Sequence, residues 1–313
     1  MIRLVLVAWL ALCGAANAQL NGGGTGFPGP GMAAAGVSYV GPGDVVTGAH
    51  SWGSCARVYT TAQASTSTSL CDLVDSATPT VTLCTLRGSA TGFADLTAYC
   101  PGSITPSAIC AAATGGVCNI KQIYDQSGNS RHFTQTTAAN QPTLVFSAID
   151  GKPAWTCNGS STRIETPTFT QAQPFTMLMA WNRTTGTAVG GIGTGSGGVT
   201  MGNPAVASQA RLIAGGTAAN FTGFTDAAWN GLIGAFNGAS SQYKINNGSV
   251  TTVGASIGAA GFSAQSFRLC TDGGNFINGR MVEAGMWASA LNATQIGNLY
   301  TNQNGTSGYN GAF

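Results

Sequence analysis

The chain has 313 residues, with 12 Lys and Arg against 10 Asp and Glu, so charged residues are only 7% of the sequence and the formal net charge is +2. Neutralising a phosphate backbone takes clustered Lys and Arg, and a chain this poor in charge excludes nucleic-acid binding as its main business. At 43% hydrophobic it has enough apolar surface for a sizeable core, which also excludes extended disorder.

Residues 1–18 read MIRLVLVAWLALCGAANA: Arg3, an apolar run from Leu4 to Cys13, then Ala16-Asn17-Ala18. A basic start, a short apolar core and an A-x-A ending predict a secretory signal peptide cleaved after Ala18, and the run is too short for a membrane span. Residues 19–36, rich in Gly, Pro and Ala, read as a lead-in, and residues 37–313 as one folded domain. Localisation outside the cytoplasm follows: secreted, periplasmic or extracellular.

Short segments rich in β-branched and aromatic residues follow at Thr80–Leu86, Ile120–Tyr124, Phe175–Trp181, Gly231–Phe236, Gln242–Ile245 and Met281–Trp287. Each is bounded by turn residues and predicts a strand. Asn246-Asn247-Gly248 predicts a hairpin turn, and the Gly-rich stretch 190–198 a loop. Two short helices are expected, one over Phe93–Tyr99 and one capped by Asn292 with Leu291, Ile296, Leu299 and Tyr300 on its apolar side. The sum is an all-β fold of two packed sheets.

Losing the leader removes Cys13 and leaves eight cysteines, at 55, 71, 84, 100, 110, 118, 157 and 270. In an exported chain an even number reads as disulfides, whose connectivity the sequence leaves open. No C-x-x-C is present and the two histidines, His50 and His132, stand in unrelated contexts, so no metal site is expected, nor any cofactor motif. No nucleophile signature surrounds a serine. The acids are Asp44, Asp72, Asp75, Asp95, Asp125, Asp150, Glu165, Asp226, Asp272 and Glu283, and any carboxylate chemistry must draw on these. Glu283, in mid-strand beside Val282, reads as solvent-facing by simple alternation. In Tyr124–Gln135 (YDQSGNSRHFTQ), Asp125 and Asn129 are placed to bond turn amides, and Gly128 to take a positive φ.

Ile123–Gln135 (IYDQSGNSRHFTQ) resembles the signature of the catalytic domain of α-L-arabinofuranosidase B, a glycoside hydrolase with a concanavalin A-like β-sandwich. Gly41-Pro42-Gly43-Asp44, followed by Ala49-His50-Ser51, is similar to that family's opening, and Cys118 stands six residues before Tyr124 as the family's cysteine does. The resemblance implies a Cys110–Cys118 bridge and a concanavalin A-like jelly roll with laminin G-like relatives. Toward the C-terminus Asp272 precedes Glu283 by eleven residues, as in the family, which makes Asp272 the counterpart of the general acid/base.

A retaining glycosidase also needs a nucleophilic carboxylate about 5–5.5 Å from the acid. Residues 166–225, where the family carries it, contain no Asp or Glu. Asp226, among Phe221, Phe224 and Trp229, is a further candidate, with Asp226 and Trp229 as sugar-binding residues and Glu165 or Asp226 as a carboxylate to approach Asp272. The functions expected are therefore hydrolysis of terminal α-L-arabinofuranosyl groups of plant-type polysaccharide or, as the alternative, a non-catalytic glycan-binding or surface or virion adhesion domain lacking the nucleophile. Both have carbohydrate as the partner.

Overall fold

Strand Phe175–Arg183 lies between Trp229–Phe236 and Asn278–Trp287, antiparallel to both, and is the middle of the molecule. Its side chains alternate between two buried environments, as a strand covered on both faces requires. Met177, Met179 and Trp181 enter the main core, together with Met201 and Leu212 of the facing layer. Leu178 points the other way, with Ile233 and Trp287, onto Leu291, Ile296, Leu299 and Tyr300 of the C-terminal helix. That helix runs Ala293–Asn304, and the Asn292 side chain accepts from the Gln295 amide at its start.

The computed structural model describes residues 38–184, 190–195, 198–253 and 257–313. Ser38–Phe313 forms one compact unit; the leader expected over 1–18 and the lead-in over 19–36 lie outside the described residues. The facing layer is an antiparallel run of Ile164–Glu165, Phe267–Leu269, Gly190–Thr194, Val199–Asn203, Gln209–Ala214 and Ala219–Thr222. The fold is an all-β sandwich with few short helices. Among the described residues no helix is long and apolar enough to cross a membrane.

The six expected strands all form, and Gln242–Ile245 pairs with Thr251–Thr252 across the Asn246 hairpin. Three local expectations fail for physical reasons. Gly190–Thr194 is a buried strand rather than a loop: a Cβ on Gly193 would lie 1.9 Å from the Val199 carbonyl oxygen, so glycine is what lets the strands close. Phe93–Tyr99 is not helical, because Asp95 Oδ1 takes the Thr97 and Ala98 amides into a turn. Glu283 is fully buried rather than solvent-facing. Ala180 pairs with Glu283 and Trp181 with Met281, so a bulge at Val282 breaks the alternation.

Glu283 meets Arg57 there in a two-pronged ion pair, Nε to Oε2 at 2.7 Å and Nη2 to Oε1 at 2.9 Å. Gln303 Nε2 and the Tyr309 hydroxyl each donate to the same carboxylate at 2.8 Å. Replacing Glu283 with Ala leaves the Arg57 cation buried and unpaired, and denaturant unfolding is expected to show a loss of about 3–5 kcal/mol.

Six cysteines are bonded, as Cys84–Cys100, Cys110–Cys118 and Cys157–Cys270. Cys55 and Cys71 are buried free thiols in contact with one another, which departs from the all-disulfide expectation, and burial pushes the Cys55 thiol up. Thiol titration of protein lacking residues 1–18 is expected to give no reaction in the native state and two thiols after denaturation without reductant. Zero thiols in both states would mean that this pair is oxidised as well.

Candidate functional site

The signature segment is a clasp. Asp125 Oδ1 accepts the amides of Trp52 and Ser127, each at 3.0 Å, and Oδ2 accepts from Arg131 N at 2.8 Å. Gln126 Oε1 accepts the Tyr59 amide, and Asn129 Nδ2 donates to the Ala49 carbonyl. Gly128 takes φ 92°, as the turn requires. These side chains spend their hydrogen bonds fastening the loop to strand Ala49–Ser54, so the most recognisable motif holds the fold.

Beside the clasp, the Arg131 guanidinium touches His50 Nε2, and the His50 ring packs on Phe169. Burial, then the Arg131 cation, push His50 down from 6.5 to about 4, while Asp125 opposes the shift. The native ring therefore stays neutral in a pH range where the unfolded chain takes up a proton. Stability from this source is intact above pH 6.5 and falls as pH drops from 6.5 toward 4. A His50→Gln variant is expected to show a shallower decline of Tm across that window, and parallel Tm profiles would contradict the assignment.

Asp272 stands in the turn that joins Phe267–Leu269 to Asn278–Trp287, only 2% exposed. Oδ1 accepts the amides of Gly274 at 3.2 Å and Asn275 at 2.9 Å. Oδ2 accepts from Thr200 Oγ1 at 3.3 Å and Arg211 Nη2 at 3.2 Å. Gly273 has φ 99°, and a Cβ there would lie 2.2 Å from the Gly195 carbonyl oxygen, so the turn needs glycine on two counts. The turn is tied to the sheet by the Cys157–Cys270 bridge and by Ile277 N donating to Cys270 O.

Thr200, Arg211, Ile213, Asn275 and Gly195 complete a cleft of ≈ 330 Å³ in front of Asp272. Arg211 Nε is buried there with no partner. Asn275 Nδ2 also donates to both carboxylate oxygens, so the anchored Asp272 organises guanidinium, amide and hydroxyl donors that a polyhydroxylated ligand can meet.

The other expected site residues do not line this cleft. Asp226 pairs with Arg183, Nε to Oδ1 at 2.8 Å, and accepts the Ser208 amide at 3.0 Å. Arg183 also donates to the Pro204 carbonyl, beyond the far end of strand Val199–Asn203 from Thr200. At about 3.3 Å per residue this puts Asp226 a strand's length from Asp272. Trp229 donates to the Ala148 carbonyl at 3.2 Å and packs against the C-terminal segment. Phe221 and Phe224 are core. Glu165 is held by Arg268 and by Ser266 Oγ.

Sequence reading missed Thr200, Arg211 and Asn275. Arg211 had a signal: it is the charged residue in the alternating strand QARLIA. Among the described residues no group of three or more His, Cys, Asp or Glu side chains is placed to hold a metal ion.

No family model and no curated protein matches this sequence. Solved structures do. A GH54 α-L-arabinofuranosidase soaked with a cyclic sulfate inhibitor superposes with a TM-score of 0.60 at 19% identity. A mutant GH54 enzyme soaked with 4-nitrophenyl α-L-arabinofuranoside gives 0.61 at 19%, and an arabinofuranosidase complexed with arabinofuranosyl-α-1,2-xylobiose 0.61 at 18%. The chain shares its fold with the GH54 α-L-arabinofuranosidases. Each match covers 83% of this chain and 65% of the other, so this chain spans just under two thirds of those enzymes' length.

Proposed function

We propose that this chain is an exported glycan-binding domain whose Asp272 cleft holds an α-L-arabinofuranosyl group without cleaving it. The reading rests on a complete account of the carboxylates. All ten fall within the described residues. Asp44 holds the Gly41 and Thr61 amides, Asp72 the hydroxyls of Thr85 and Tyr124, Asp75 and Asp95 loop amides, and Asp125 the clasp. Asp150, Glu165, Asp226 and Glu283 are paired with Lys152, Arg268, Arg183 and Arg57.

Asp272 is the one carboxylate lining its cleft. Double displacement needs a second at about 5–5.5 Å, free to attack the anomeric carbon. Without it the cleft supplies recognition: Asp272, already met by five donors, holds Arg211, Thr200 and Asn275 in place, and these side chains present donors to ring and hydroxyl oxygens.

Hydrolysis is the second reading, favoured by the position of Asp272 relative to Glu283. One experiment separates the two. Purified protein and an Asp272→Asn variant, matched for Tm, are titrated with an arabinofuranosyl oligosaccharide and assayed on an aryl α-L-arabinofuranoside. Binding that weakens at least about tenfold in the variant, roughly 1.4 kcal/mol, with no turnover in either protein is expected. Turnover lost in the variant would make the domain a hydrolase, and equal binding by both proteins would remove Asp272 from the site.

A further inference from the structure

A second cleft, of ≈ 470 Å³, adjoins the first. The two share a wall. Gly195 lines the Asp272 cleft, and its carbonyl accepts from Arg268 Nη1 at 3.4 Å, while Arg268 lines the second. The Arg268 guanidinium lies against the Gly195 α-carbon, where a Cβ would come within 2.5 Å of Cζ, so any larger residue would push the wall aside.

Charge distinguishes the two clefts. In the first, Arg211 is matched by Asp272. In the second, Arg268 is matched by Glu165, its cross-strand partner, and Arg163 is left over. Arg163 precedes strand Ile164–Glu165 by one residue, so it shares a face with Glu165. Among the described residues it forms no ion pair, and its Nε is buried without a hydrogen-bond partner. Its backbone is pinned on both sides: its amide donates to Asn140 O, and its carbonyl accepts from Gln135 Nε2 at 3.2 Å. An uncompensated guanidinium on a fixed backbone, in a cleft lined otherwise by the Glu165–Arg268 pair, Pro167 and threonine, serine and glutamine groups, is a donor suited to an oxyanion.

We propose that the second cleft is an adjoining subsite in which Arg163 binds the carboxylate of a uronosyl residue, so that the ligand is an acidic oligosaccharide spanning both clefts. This rests on the glycan reading above and names the class of glycan. Gln135 and the threonine hydroxyls meet the ring hydroxyls, and Arg163 adds the charge-assisted pair that a neutral chain cannot form.

The test is calorimetric titration of the purified protein with two arabino-oligosaccharides of equal length, one neutral and one bearing a glucuronosyl unit, at low and at 0.5 M salt. Wild type is expected to prefer the acidic glycan about tenfold at low salt, equivalent to about 1.4 kcal/mol, and to lose most of that preference at high salt. Arg163→Gln is expected to bind both glycans alike, and Arg163→Lys to restore part of the preference. Equal binding of the two glycans by wild type, or a preference that survives Arg163→Gln, would overturn the subsite and leave the Asp272 cleft standing. No binding of either glycan by wild type would overturn both.

Discussion

The buried ion pair between Arg57 and Glu283 is the contact on which the architecture turns. Its partners are 226 residues apart, one following the first strand of the sandwich and the other in the middle of the last. Taking two such charges out of water is costly unless the geometry is good and the remaining lone pairs are met. Here they are met by the C-terminal segment, with Gln303 and Tyr309 on the carboxylate and the Asn302 side chain and Ser307 carbonyl on the guanidinium. Removing any of these leaves a charge or a dipole stranded, so strand, loop and helix are held to one arrangement. Packing of its two buried faces already specifies the register of strand Asn278–Trp287, the pair adds a constraint of its own, and the bulge at Val282 is what brings Glu283 to Arg57.

Fixing that strand also fixes the site. Asp272 lies six residues before Asn278, in a turn closed at its base by Cys157–Cys270. Cys157 itself lies on strand Lys152–Asn158, opposite Gly279. The turn is thus anchored to the same strand through a covalent bond on one side and backbone pairing on the other. Arg211 and Thr200 arrive from adjacent strands of the facing layer, to which Phe267–Leu269 also belongs, so Asp272 meets its partners only once these distant segments have paired. The cleft is a product of pairing between segments far apart in sequence, rather than of any local motif.

That dependence explains what was legible in the sequence. Strand segments, the Asn292 cap and the turn chemistry of Asp125 and Gly128 are local, and periodicity or residue type announces them. The signature pointed to the right fold through residues that fasten a loop, since Asp125, Gln126 and Asn129 form a self-contained clasp on strand Ala49–Ser54. Pairings between distant positions are invisible to such reading. Nothing near Glu283 in sequence marks it as buried, and one bulge inverts its face. Nothing near Asp226 says that Arg183 occupies it. Gly190–Thr194 looked like a loop because glycine is read as punctuation, whereas here its missing side chain is what allows two strands to meet.

The scarcity of charge carries a further consequence for chemistry. A domain with only ten carboxylates that commits all of them to pairs, caps and turns, Asp272 to Arg211 included, keeps little in reserve for acid–base work. The shared fold supplies the scaffold on which GH54 enzymes are built, but a scaffold does not carry reactivity with it, and function has to be argued from the groups in the cleft. In this cleft those groups are one anchored carboxylate, amide and hydroxyl donors, and Arg211. Such a set distinguishes ligands by hydrogen-bond geometry and by charge. With Asp272 and Glu165 each neutralised by an arginine of its own, the proposed selectivity passes to the one arginine lining the two clefts that has no carboxylate, and Arg163 becomes the residue whose charge the ligand must answer.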